Sequence, residues 1–175
     1  MRGLRTAAAV AAAVALTAGA GAGVASAAGA GPAGAGECQP GTLKATTTDA
    51  GGSQAGMNHA GTYLRVQNTG GTTCAISGYP GLALEGAGHT ALKTEVRHGD
   101  TYFAKDPGVH RVTLKPGRSA YADLVWTHTG ADTAPAKFLQ ISPTGSNAHN
   151  VVPFDQEVDN GTLSVTAWSA KLPAA

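Results

Sequence analysis

The chain has 175 residues, with 12 lysines and arginines against 11 aspartates and glutamates and a formal charge of +1. The basic residues are scattered singly, so the basic stripe of a nucleic-acid-binding protein is missing, and we expect no nucleic-acid partner. Charged residues make up 13% of the chain and glycine contributes 25 residues, a composition that favours short strands and tight turns over long helices.

The first 27 residues have the pattern of a secretory signal peptide. Arg2 and Arg5 precede an apolar run that ends near Leu16, and Ala25-Ser26-Ala27 supplies the small residues of a cleavage site. The apolar run is shorter than the roughly 20 residues of a spanning helix, so we expect no membrane span. We predict cleavage after Ala27 and a secreted, extracellular protein.

Three further segments follow the predicted leader. Residues 28–36 are almost entirely alanine and glycine, which predicts a flexible tether. Residues 37–170 have the length of one domain with a single core, and residues 171–175 are a C-terminal tail. Glu37 precedes the first cysteine where a lipid-attachment site has a small residue, so we expect a product without lipid.

Cys38 and Cys74 are the two cysteines of the chain. In an exported protein the simplest prediction is a disulfide between them, closing a loop of about 36 residues. The alternative, a redox or metal-binding role, has little support because neither cysteine belongs to a CxxC pair and neither adjoins a histidine.

Apolar and polar residues alternate in short runs from Leu43 onwards, which is typical of half-buried strands. Residues 82–84 and 92–96 flank a glycine-rich turn and predict a hairpin, whereas residues 129–136 and 143–150 are predicted loops. About eight or nine short strands without a convincing helix favour an antiparallel β-sandwich.

Turns and core residues follow from the same pattern. Pro116-Gly117 predicts a type II turn, and Asn160-Gly161 and Asp106-Pro107-Gly108 are predicted turns as well. Trp168 is expected to point away from the face formed by Leu163 and its neighbours. The residues predicted to be buried between the sheets are Leu64, Val66, Ile76, Leu82, Leu114, Leu124, Trp126, Leu139, Ile141, Leu163 and Val165.

Five motifs in order carry a family resemblance: NTGG, TCAISGYPGLAL, VTLKPGRSAYADLVW, FLQISP and GTLSVTAW. With them, residues 37–170 resemble the secreted actinobacterial family called domain of unknown function 4232. The resemblance implies an immunoglobulin-like β-sandwich outside the cell and no established activity. Family members often carry a second cysteine pair near the last strands, and the matching positions here have none.

Candidate chemistry is sparse. The residues with metal or catalytic potential do not form a recognisable motif, so we predict no metal site, no cofactor and no catalytic residues. Met57 and His59 are the residue types that copper prefers, and His98, Asp100 and Ser119 are the types of a hydrolytic triad. The six histidines are His59, His89, His98, His110, His128 and His149.

Two classes of function remain. The first is a monomeric, non-catalytic module that binds a protein or cell-envelope partner through loops carrying Tyr79 or Tyr102 and Phe103. The alternative is an extracellular copper carrier or a small secreted enzyme.

Overall fold

The computed structural model of the chain describes residues 34–174, which form an all-β sandwich. The predicted signal peptide and most of the predicted tether lie outside the described residues. The described part has 3₁₀ turns at Pro40–Thr42 and Ala87–His89. The strands are β1 Leu43–Thr48, β2 Gln54–Gly56, β3 His59–Asn68, β4 Cys74–Ile76, β5 Gly81–Glu85, β6 Glu95–His98, β7 Val112–Leu114, β8 Ser119–Thr127, β9 Thr133–Ser142, β10 Asn150–Asp159 and β11 Thr162–Val165.

The larger sheet has six strands in the order β1-β3-β8-β11-β6, and β2 pairs with β3 beyond the end of β1. All of its pairings are antiparallel except that of β6 with β11. A second sheet has the order β10-β9-β5, and β4 and β7 form a two-stranded sheet. Strands β1 and β8 of the larger sheet contact β10, and β7 contacts β8. The single core cluster lies between these layers.

The predicted core is confirmed at ten of its eleven positions, each of which is at most 5% exposed. Leu82 is the exception, since it is half-buried and packs against the rim of the core. The Cys38–Cys74 disulfide also lies in this core and ties the segment before β1 to β4. The adjacent backbone supports the link, because the Cys38 amide donates to the Ala75 carbonyl at 2.9 Å.

The predicted hairpin of residues 82–84 and 92–96 is wrong. Strand β5 pairs with β9, and β6 crosses to the other sheet and pairs in parallel with β11. Only an isolated bridge between Glu85 and Ala91 remains of the expected pairing. Alternation identifies strands but not their partners, and a parallel partner distant in sequence leaves no local turn signal.

The predicted loop of residues 129–136 is partly wrong, because strand β9 begins at Thr133. The predicted loop of residues 143–150 is confirmed as far as Asn150, where β10 begins, and β10 then runs for ten residues, well beyond the apolar pair Val151-Val152. The β10 alternation is obscured by Pro153 and by a bulge at Asp155, whose φ is +47°. Proline and bulges are features of edge strands, and β10 is the edge of its sheet.

Strand β2 was not expected, because residues 49–61 are glycine-rich. It forms a hairpin with β3 through a two-residue turn, in which Met57 and Asn58 have φ of +45° and +78°. Positive φ at both positions is the geometry of a type I′ turn.

Trp168 does not point away from the core as expected. The chain leaves regular strand geometry after Val165, so Ala167 and Trp168 are both fully buried. The indole Nε1 of Trp168 donates to the Pro143 carbonyl at 3.0 Å. The turn at Pro116-Gly117 is confirmed, with a φ of +77° at Gly117.

Candidate functional site

The rings of His59, Tyr102 and Phe103 are in contact, and Met57 lies at the tip of the hairpin that carries His59; we call these four residues the aromatic surface. The ring of Tyr102 stacks on that of His59 with centroids 4.0 Å apart and planes 8° apart. Phe103 meets Tyr102 edge-on at 5.0 Å. Met57 is 87% exposed and Tyr102 is 50% exposed, whereas His59 and Phe103 are half-buried beside them.

Two segments far apart in sequence build this surface. Met57 and His59 belong to the β2–β3 hairpin, whereas Tyr102 and Phe103 belong to the loop of residues 99–106. By sequence, Met57 and His59 are residue types that bind copper, and Tyr102 and Phe103 are aromatic residues of a predicted loop. The fold brings both pairs together, because the turn between β2 and β3 lies beside that loop.

The hairpin tip is held in place by Asn58. Its side-chain Oδ1 accepts hydrogen bonds from the Thr129 hydroxyl and, at 3.3 Å, from the His128 amide. These contacts join the β2–β3 turn to the end of β8. The exposed Met57 therefore lies in a turn that is held to the segment following β8.

The loop of residues 99–106 is anchored by two carboxylates. Asp100 accepts from the Asp106 amide and from the Lys105 ammonium, each at 2.8 Å. The bond from the Asp106 amide is the main cause that lowers the pKa of Asp100. Asp106 in turn accepts from the Ala167 amide at 2.8 Å and from the Tyr79 hydroxyl at 2.6 Å. Asp106 thus anchors this loop.

Beneath the loop lies a buried polar cluster centred on Asp123 in β8. Its carboxylate accepts from Gln54 Nε2 at 2.6 Å and from the Thr101 hydroxyl, which joins β2 and the loop to the central sheet. The Asp123 amide donates to the Thr166 hydroxyl at 2.9 Å. Asp123 is fully buried, and none of the salt bridges within residues 34–174 includes it.

Burial without a cation raises the pKa of the Asp123 carboxyl, and the hydrogen bonds from Thr101 and Gln54 only partly oppose this rise. Tyr63 lies opposite Asp123 on β3, and burial followed by the Asp123 charge raises the pKa of its phenol. The Tyr63 hydroxyl donates to the Pro173 carbonyl at 3.2 Å. The cluster therefore holds the loop and the C-terminal segment against the outer face of the sheet.

The residues considered for a hydrolytic triad have other partners. His98 stacks on Tyr79 at 4.3 Å, Asp100 binds Lys105 and the loop backbone, and the Ser119 hydroxyl accepts from Arg65 Nε at 2.9 Å. Tyr79 is half-buried in this contact and is separate from the aromatic surface.

Three further histidines also contact different partners. His89 stacks on Phe138 at 4.1 Å and its Nδ1 lies 2.6 Å from Glu85 Oε2, while His110 and His149 contact backbone carbonyls. Gln140 first and His89 second lower the pKa of Glu85. Among the residues that the structure describes, no three His, Cys, Asp or Glu side chains are placed to hold one metal ion.

Sequence reasoning missed Asp123, Gln54 and Thr101. One signal was available: Asp123 is the single charged residue in the run AYADLVW, which is otherwise apolar or aromatic. A carboxylate on the outer face of a strand ordinarily indicates solvent exposure. Only the tertiary structure shows that a loop covers this face.

The protein is thus a small all-β sandwich with one disulfide. The loop that carries Tyr102 is held to the sheet by the buried Asp123 carboxylate. No helix within the described residues has the length and apolar character needed to cross a membrane. The family model described as Domain of unknown function (DUF4232) matches residues 38–169, and the chain belongs to this family. No curated protein and no solved structure matches the chain.

Proposed function

We propose that this protein is an exported, non-catalytic binding module that recognises a protein or cell-envelope partner through its aromatic surface. The observation that carries the proposal is the stacking of His59, from the hairpin, on Tyr102, from a separate loop, beside the exposed Met57. Aromatic and methionine side chains contribute disproportionately to binding energy at interfaces.

The anchoring of this surface supports a binding role. Asn58 fixes the hairpin tip, and Asp100, Asp106 and Asp123 fix the loop that carries Tyr102. A surface that is already ordered loses little conformational entropy on association, so a larger part of the contact energy becomes affinity. The buried Asp123 carboxylate is costly for the fold, which is consistent with a requirement for this loop geometry.

The absence of an enzymatic activity is part of the proposal. It is supported by the contacts of His98, Asp100 and Ser119, each of which binds a different partner rather than one another. A nucleophile requires an adjacent base, and these residues provide no such pair. Export is supported by the leader pattern of the sequence and by the Cys38–Cys74 disulfide.

Comparative capture tests the proposal. Immobilised wild-type protein and the variants Tyr102→Ala and Val151→Ser are incubated with envelope and culture-medium fractions of the producing cells. Val151 is a matched control because it is an exposed apolar residue, 41% accessible, on the edge strand β10. We expect Tyr102→Ala to lose the captured partner and Val151→Ser to keep it. Equal capture by Tyr102→Ala and wild type would contradict a role for the aromatic surface.

A further inference from the structure

Strand β6 forms an edge of the larger sheet, and within residues 34–174 its one strand partner is β11. The Glu95 amide donates to the Gly161 carbonyl at 2.9 Å, so Glu95 directs its backbone groups towards β11. Because this direction alternates along a strand, the amides and carbonyls of Val96 and His98 point away from the sheet. Neither residue has a backbone hydrogen-bond partner within the described chain.

Three other edge strands are partly covered. On β1 the Ala45 amide donates to Asn150 Oδ1 at 2.7 Å. Strand β10 carries Pro153 beside its bulge, and on β5 the Leu84 carbonyl accepts from the Leu92 amide at 3.0 Å. Strand β6 is exposed at three of its four positions and has no such covering contact in the part of the chain that the structure describes. An edge of this kind is available for pairing with another strand.

The side chains of β6 make this edge complementary to a second copy of itself. Val96 packs against the core, so its neighbours Glu95 and Arg97 point to the outer face, where Arg97 Nε donates to Glu95 Oε1 at 3.1 Å. If two copies of β6 lie antiparallel with Val96 opposite Val96, each Glu95 faces the Arg97 of the second copy. These pairs fall at non-hydrogen-bonded positions, where opposing side chains lie closest and opposite charges are stabilising.

Charge disfavours the neighbouring registers. Because alternate residues point outwards, the pairing can change only to registers that again place outward-pointing residues opposite each other. The next register in one direction places Arg97 opposite Arg97, and the next in the other direction places Glu95 opposite Glu95. Like charges directly opposite each other are destabilising, so the charges favour the register centred on Val96.

We propose that the protein associates with a second copy of itself through antiparallel pairing of β6, about a two-fold axis between the two Val96 residues. The Val96 amide of each copy donates to the Val96 carbonyl of the other, and the two six-stranded sheets become one. The paired edge is four residues long. It buries less than the roughly 1,200 Å² at which standard stable interfaces begin, so we expect a dissociation constant on the order of 100 μM.

The dimer would display both aromatic surfaces in the same direction. A two-fold axis perpendicular to the sheet keeps the outer faces of both copies on one side. The loop of residues 99–106 turns back over this face from the end of β6, as the bond between Thr101 and Asp123 shows. Two weak contacts made on one side by a single particle add avidity. This consequence rests on the proposed function, whereas the pairing of β6 does not.

Sedimentation velocity of the purified protein from about 5 μM to about 1 mM tests the association, and wild type should change from monomer to mainly dimer. Arg97→Glu places two acidic side chains on the edge and should raise the dissociation constant at least about tenfold. Glu95→Arg should have the same effect with two basic side chains. An equimolar mixture of the two variants should regain the association, because every acidic side chain then faces a basic one.

Controls locate the contact. Lys115→Glu makes the same change of charge at an exposed residue outside β6 and should associate as wild type does. The Val96 and His98 amides should exchange with solvent more slowly at high protein concentration, whereas the Glu95 amide, already bonded to Gly161, should not change. Tyr102→Ala should keep the association, so that a failure of the dimer and a failure of the aromatic surface are separate results.

Three results would overturn the proposal. The first is a wild-type protein that remains monomeric at the highest concentration. The second is undiminished association of Arg97→Glu, which would place the contact elsewhere on the molecule. The third is a mixture of Arg97→Glu and Glu95→Arg that does not associate.

Discussion

The buried carboxylate of Asp123 predicts an unusual dependence of stability on pH. Because its pKa is raised in the folded state, the folded protein holds a proton at pH values where the unfolded chain, with a pKa of about 3.9, has lost it. The contribution of Asp123 to stability is therefore fully present below the unfolded pKa. It is lost as the pH rises through the folded pKa, which is the reverse of a salt-bridged aspartate.

Asp123→Asn is the perturbation that isolates this effect. The asparagine carbonyl still accepts from Thr101, and its amide faces Gln54, whose Oε1 has no partner and gains one if the Gln54 amide rotates. We expect the variant to lie within about 1 kcal/mol of wild type near neutral pH, because one buried charge and one charge-assisted bond are lost together. Asp123→Ala instead leaves two donors without an acceptor and should cost about 3 kcal/mol.

The assay is urea unfolding of wild type and Asp123→Asn at several pH values between 4 and 8. The free energy of unfolding of wild type relative to the variant should fall as the pH rises, with a slope of up to about 1.4 kcal/mol per pH unit below the folded pKa. Asp100 and Glu85, whose pKa values are lowered, lose their contribution as the pH falls. Both groups are present in wild type and in Asp123→Asn, so their contributions cancel in the difference between the two free energies of unfolding. A flat or rising difference would refute the assignment of Asp123 as an uncompensated buried charge.

Four other outcomes are expected. Reduction of the Cys38–Cys74 bond, which closes a separation of 36 residues, should cost about 4 kcal/mol and lower the melting temperature, and an unchanged melting curve under reductant would be inconsistent with this. Trp126→Ala should cost about 3 to 5 kcal/mol in chemical denaturation, because Trp126 is 5% exposed in the core, whereas a loss below 1 kcal/mol would argue against that burial. N-terminal sequencing of protein from culture fluid should begin at Ala28 without lipid, and an acylated product would disprove it. Copper titration should show no stoichiometric binding, and tight binding that disappears in His59→Ala would favour the carrier alternative.

One hairpin links the aromatic surface to the buried Asp123 carboxylate. Met57 and His59 lie at the turn between β2 and β3, and Gln54 is the first residue of β2. Gln54 also bonds Asp123, which holds the loop of Tyr102.

Local pattern was sufficient for the strands that face the core on one side. Leu64 and Val66 in β3, and Leu124 and Trp126 in β8, occupy alternate positions of their strands and are buried as this spacing predicts. The Cys38–Cys74 bond was also predictable, because a chain with two cysteines has only one possible intramolecular pairing. Composition and short-range periodicity thus determined the fold class and most of the core.

Pairing and the functional surfaces depended on tertiary structure. Strand β6 crosses to pair with β11, and the loop of residues 99–106 covers Asp123. Both contacts join residues that are distant in the chain. The local sequence around each residue predicts only a strand or a turn. Likewise, His59 and Tyr102 form one surface only because two loops meet in space. Side-chain alternation shows which face of a strand is buried. The segment that covers the other face is distant in sequence, so no periodic pattern within the strand predicts it.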